Sequence, residues 1–188
     1  MKGRCKMKVL LKQKSKELYT ADFDIIKDEN IIGNVFVQGR IGSMEARTTI
    51  KLPNAEIVME PRGRASRNQY RLYNITINND EHGYIYQRKY KTGFLAWEYK
   101  HVLEYDGNEY IGEGNGIGTS KLDGMIKNEN GYELTIYNDM YNYDVECSEE
   151  NDNLYKTLIY TMYKYLIAYY KPGQKVTKSV QKIYFKGK

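Results

Sequence analysis

Between residues 151 and 171 the chain reads NDNLYKTLIYTMYKYLIAYYK, and its apolar positions recur with a helical period. At about 100° per residue, Leu154, Tyr155, Leu158, Ile159, Met162, Tyr165, Leu166, Ala168 and Tyr169 cover roughly two thirds of the circumference. Lys156, Thr157, Tyr160, Lys164 and Lys171 share the remaining narrow stripe. Such a helix requires neighbours on most sides. Glu149, Glu150 and Asp152 suit its positive N-terminal end, Asn151 or Asp152 can cap it, and Pro172 with Gly173 stops it.

Upstream of the helix the period is two. Tyr19, Ala21, Phe23 and Ile25 alternate with Thr20, Asp22 and Asp24, and Asp28, Glu29 and Asn30 turn the chain into a return strand over 31–38. Short strands are predicted at 43–51 and 55–59, followed by a basic loop, PRGRASR, over 61–67. A second hairpin joins 70–77 to 84–90 through Asn78, Asn79 and Asp80. The long strand 94–105 places Leu95, Trp97, Tyr99, His101, Leu103 and Tyr105 on one face, and Asp106-Gly107 is the strongest tight-turn signal before the return arm 110–118. A third hairpin is predicted over 125–137, then a strand over 143–147. FDIIKDENIIGNVFV, YNITINNDEHGYIYQ and DGMIKNENGYELTIY start about 50 residues apart, which predicts a repeated meander.

This order of elements predicts a mainly β fold. A helix that needs apolar neighbours all round, placed after the strands, is best satisfied inside a closed antiparallel barrel. An open sheet would need only one apolar face. The length, 188 residues, fits a single domain over 1–188 with a core over 7–171 and a basic tail over 172–188.

Charge modifies this picture modestly. The net value is +5, from 29 Lys and Arg against 24 Asp and Glu, and lysines concentrate at 2–16 and 171–188. Those segments read either as contacts for an anionic partner or as two solvated tails. Cys5 and Cys147 lack metal-ligand spacing and predict a reduced, cytoplasmic protein, peripheral at the membrane if bound there. No signal peptide is visible, and Lys156 and Lys164 interrupt the only apolar stretch that approaches membrane length. The abundance of Tyr, Asn, Ile and Lys points to an AT-rich bacterial source.

The opening MKVLLKQKSKELYTADFDIIKDENIIGNVFVQGR resembles the start of the bacterial tubby C-terminal-like proteins, grouped with the LURP-one-related proteins. In that group a Lys-rich strand leads into an acidic hairpin with a glycine in its return strand, and an apolar helix lies in the last fifth of the chain. The resemblance covers residues 7–171 and implies about 12 strands around a central helix. It also implies a membrane-lipid link, since tubby is a phosphoinositide-binding module and the phospholipid scramblases are similar. It carries over no lipid-site motif, and the extension over 171–188 departs from it.

Arg62, Arg64, Arg67 and Arg71 form the best candidate anion site, because guanidinium forks suit phosphate and the Gly and Ser between them admit backbone amides. GEGNGIG at 112–118 lacks the ending of a phosphate-binding loop; glycine there spares the central helix a collision. His101 reads as a hydrogen-bonded core residue and His82 as an exposed turn residue. Carboxylates at Asp22, Asp24, Asp28, Glu29, Asp80 and Glu81 read as hairpin tips; their spacing is not that of a calcium loop. No nucleophile–base pair, metal site or cofactor motif presents itself.

The expectation is therefore a non-enzymatic module for an anionic membrane lipid or a phosphorylated ligand. The alternatives are a small-ligand or enzymatic barrel, which a deep pocket beside His101 or Glu98 would favour, and a scaffold for a protein partner. Nucleic acid is disfavoured, because neither a recognition helix nor an RRM motif is present.

Overall fold

The computed structural model describes residues 6–39, 45–63, 69–91, 94, 97–113, 135–138, 142–148, 151–167 and 182–185. Its elements are β1 (Lys6–Lys16), β2 (Thr20–Lys27), β3 (Asn30–Gln38), β4 (Arg47–Leu52), β5 (Ala55–Gly63), β6 (Gln69–Ile77), β7 (Asp80–Lys91), β8 (Trp97–Tyr105), β9 (Asn108–Glu113), β10 (Thr135–Asn138), β11 (Asn142–Ser148), α1 (Asn151–Ile167) and β12 (Lys182–Phe185). The strands form one antiparallel sheet of twelve in the order β10-β11-β1-β2-β3-β4-β5-β6-β7-β8-β9-β12. The fold is mainly β with one C-terminal helix.

Alternation along the strands supplies one apolar face. Ala21, Phe23 and Ile25 of β2, Val35 and Val37 of β3, Ile57 and Met59 of β5, Ile75 of β6, Ile85 of β7 and Leu103 of β8 are fully buried in one core with α1. In two lysine-rich segments the pairing decides between the open readings, strand or solvated tail. Residues 6–16, whose lysines allowed a solvated tail but which the core over 7–171 included, are an interior strand between β11 and β2, with Met7, Val9 and Leu11 buried. Lys8 and Lys12 point outward between them and obscure the period of two. Within the basic tail, residues 182–185 pair with β9 as β12.

The helix is buried round its whole circumference. Leu158, Ile159, Met162 and Leu166 enter the core as expected, and so do Lys156, Thr157 and Tyr160 of the polar stripe. Tyr165 meets Phe23 of β2 edge-on at 5.1 Å and Tyr143 of β11 at 6.2 Å. Tyr163 meets Tyr73 of β6 at 5.8 Å and His101 of β8 at 5.6 Å. Helix positions two apart point about 200° apart. The sheet therefore curls around α1.

Closure into a barrel is corrected. The order ends at β10 and β12, and no ladder joins these two strands among the described residues. β10 and β12 approach each other without pairing.

Two of the three similar hairpins match in detail. Asp28 and Glu29 (φ 49° and 64°) and Asn78 and Asn79 (φ 52° and 72°) make two-residue turns of the same left-handed kind. Ile25 pairs with Gly33 and Ile75 with Gly83, and each pair precedes a one-residue register shift. A Cβ at Gly33 would strike the carbonyl oxygen of Lys51, and one at Gly83 that of Glu104. Close backbone approach thus requires glycine at both sites. The third hairpin lies outside the described residues except for β10.

Candidate functional site

Antiparallel order sorts the connections to two ends of the sheet. At one end lie the tight turns around 28–29, 53–54, 78–79 and 106–107 and the start of α1; at the other lie the β1–β2 turn, the connections after β3, β5 and β7, and Ile167 at the end of α1. The tight-turn end is acidic, with Asp28, Glu29, Glu56, Asp80, Glu81 and Asp106 against Lys27 and Lys51. There Lys51 pairs with Glu56 at 3.6 Å, and His82 holds Asp106 at 2.7 Å while stacking on Tyr105. His82 is thus half-buried and bonded rather than a free turn residue.

The opposite end carries Lys14, Lys16, Arg47, Arg62, Lys89 and Lys91 against Glu17, Asp22, Glu45, Glu60, Glu98 and Glu113, with Lys14 paired to Asp24 at 3.3 Å; its distinction from the acidic end is its cations, not a lack of carboxylates. Arg47 pairs with Glu60 at 3.2 Å. Leu18 and Tyr19 in the β1–β2 turn and Phe94 beyond β7 are exposed there.

Of the four candidate arginines, Arg62 and Arg71 are described, and they are directed to different places. β5 runs on through Gly63, so Pro61, Arg62 and Gly63, expected in a loop, finish a strand with a register shift opposite Leu72 and Tyr73. The Arg62 guanidinium lies 6.0 Å from the centroid of the Tyr84 ring, on the outer wall. Arg71 sits at φ 53° within an irregularity of β6. Its Nη1 donates to the Ile167 carbonyl at 3.0 Å, and its own carbonyl accepts from the Tyr163 hydroxyl at 3.0 Å. A cation thereby satisfies a terminal helix carbonyl, where the dipole favours it. Arg62 and Arg71 consequently serve opposite faces of the sheet, while Arg64 and Arg67 lie outside the described residues.

Between sheet and helix runs a polar contact centred on His101, which is buried as expected of a core histidine. Gln87 Nε2 can only donate, so at 3.3 Å it fixes His101 Nε2 as the acceptor and leaves Nδ1–H to donate to the Tyr160 hydroxyl at 3.2 Å. Burial, reinforced by the cations Lys164 and Arg71, holds the imidazole pKa down at about 3. It is neutral at physiological pH. Burial likewise lowers the ammonium of half-buried Lys164 to about 7 and raises the Tyr160 hydroxyl. Beside this contact Gly112 lets β9 pass directly over the Tyr160 ring. Lys156 reaches the Tyr110 hydroxyl at 3.2 Å and its ring face at 4.7 Å.

A cluster on the outer wall was not singled out from the sequence. Glu104 and Glu109 stand directly opposite each other across β8 and β9. Arg88 bridges the like charges, 2.6 Å from Glu109 and 3.8 Å from Glu104. Tyr86 donates to Glu104 at 2.6 Å and accepts from Arg88; burial, then its bond to Glu104, pushes its hydroxyl to about 12. The Asp106-Gly107 turn was the available signal, since a two-residue hairpin fixes Glu104 opposite Glu109. Its neutralised charges make it a wall tie. Among the described residues no group of three or more His, Cys, Asp or Glu is arranged to hold a metal.

The chain matches no protein-family model, no curated protein and no solved structure with which it was compared. Its own geometry must carry the functional reading. No helix among the described residues is long and apolar enough to cross a membrane.

Proposed function

We propose that this protein is a non-enzymatic binding module that docks its loop end on an anionic membrane surface, with Arg62, Arg64 and Arg67 contacting phosphorylated headgroups. The observation that supports this reading is the contrast between the two ends: acidic tight turns at one, and cation-bearing strand ends with exposed aromatic and aliphatic residues at the other. Such a charge axis orients a molecule toward an anionic plane before contact. The reading also takes the curled sheet around α1 as an architecture of the tubby C-terminal-like kind. Arg71 contributes from within, by holding the helix terminus under that end.

Co-sedimentation with vesicles tests it. The chain is expected to pellet with phosphatidylserine or phosphoinositide vesicles and not with neutral ones, and to be released by salt. Replacing Arg62, Arg64 and Arg67 together by alanine, with Arg71 left in place, should weaken binding by up to about 150-fold, at roughly 1 kcal/mol at most per basic residue. Absence of binding to every vesicle at low salt would sink the proposal.

A further inference from the structure

We infer that Leu18, Tyr19 and Phe94 are insertion tips that enter the interfacial layer of an anionic bilayer from two sides of the loop end; this rests on the membrane reading and specifies how contact is made. Five large apolar side chains are exposed among the described residues, and their placement is uneven. Leu18 (74%), Tyr19 (56%) and Phe94 (93%) occupy loop-end turns, Phe36 lies two residues below that end on β3, and only Ile31 lies toward the acidic end.

The turns hold these residues at their apices. Lys16 pairs with Ala21, and the Glu17 amide donates to the Thr20 carbonyl at 2.8 Å, which leaves Leu18 and Tyr19 at the crest. The Gly39 amide donates to the Tyr19 carbonyl at 2.7 Å, tying that crest to the end of β3. Lys91 pairs with Trp97 to close the β7–β8 hairpin, and Phe94 is the middle residue of the connection.

The two crests lie on opposite sides of α1. In the sheet order the β1–β2 and β7–β8 hairpins are six strands apart, and Phe23 of β2 and His101 of β8 touch the helix through Tyr165 and Tyr163, which point in opposing directions. Two separated tips suit a fluid plane. A protein partner would be met by a contiguous central patch ringed by polar residues instead. Aromatic and aliphatic side chains near lysines, here Lys16 and the Asp24-paired Lys14 with Glu17 between them and the crest, match the chemistry of the headgroup–acyl boundary beneath an anionic surface. With both tips inserted, the C-terminal end of α1 faces the lipid.

The experiment uses the full chain with vesicles of phosphatidylcholine and phosphatidylserine whose phosphatidylcholine carries brominated acyl chains. F94W and, at the acidic end, I31W are compared after subtraction of the emission of the parent chain, whose only tryptophan is Trp97. The expected result is a blue shift and strong quenching for F94W and neither for I31W. The double variant L18S/F94S should bind the vesicles about tenfold more weakly, with its salt sensitivity intact and its circular dichroism unchanged. Vesicle binding without quenching of F94W would overturn insertion while leaving electrostatic docking in place. If the parent chain binds no vesicle, insertion and the membrane reading fall together.

Discussion

Gly112→Ala should cost about 2–6 kcal/mol of folding stability. A Cβ at this position would run into the Tyr160 hydroxyl and lie 2.5 Å from Cζ and 2.7 Å from Cε2 of the same ring. Neither side can yield cheaply. β9 is held between β8 and β12, and Tyr160 is fully buried with its hydroxyl on His101. Overpacking of this kind costs about 1–3 kcal/mol, and displacing the ring strands His101 Nδ1–H without a partner, worth about 1–3 kcal/mol more. Denaturant unfolding of a double-mutant cycle checks the cause. Tyr160→Ala leaves a cavity and is itself expected to cost about 3–5 kcal/mol. Because the ring is the obstacle, Gly112→Ala added to Tyr160→Ala should cost less than about 1 kcal/mol further. Additive losses would mean that β9 does not lie against the helix at Tyr160.

Acidification from about pH 7 to about pH 4 should remove roughly 3 kcal/mol of stability through His101 alone, at about 1.36 kcal/mol per pH unit below the ordinary value. The folded pKa is depressed from 6.5 to about 3, so the buried ring stays neutral across this interval while the unfolded chain takes up a proton. The unfolded state therefore binds more protons, and stability falls as pH falls. The contribution is complete above 6.5 and is lost progressively until the folded ring titrates near 3. Gln87 adds a local reason, since a second N–H on the imidazole would face the amide donor that the neutral ring accepts from. Carboxylates also titrate in this range, so the measurement is the difference in the slope of unfolding free energy between the parent chain and His101→Gln. A shallower slope for the variant is expected. Equal slopes would contradict a neutral, enclosed His101.

These two positions were also the most legible in the sequence. His101 stood in a run of alternating apolar residues, and glycines clustered where a neighbouring helix would exclude side chains. The helix was readable for the same reason, because most of its circumference is apolar. The repeat was readable because acidic or Asn turns and one glycine recur fifty positions apart at Gly33 and Gly83. Lysines on the outer face of β1 blurred its period of two, so that the family resemblance rather than the alternation pointed to a strand there, and lysines around β12 left strand and solvated arm equally open. The unsealed edge of the sheet was not readable, since enclosure of a helix can be met by curling without closure. Arg71 misled because sequence proximity placed it with Arg62, whereas a left-handed residue in β6 turns its guanidinium toward Ile167. No residue-type pattern announces that reversal. Leu18 and Phe94 escaped attention because a single exposed apolar residue in a turn is ordinary, and only strand order places them at one end.

The central claim is that the two ends of the molecule are unlike and that the loop end meets an anionic surface. Amide hydrogen exchange with and without phosphatidylserine vesicles tests it most directly. Slower exchange is predicted in peptides spanning 14–20 and 89–97, with no change at 28–30 and 78–81. Protection at the acidic turns, or at neither end while the protein is vesicle-bound, would contradict it.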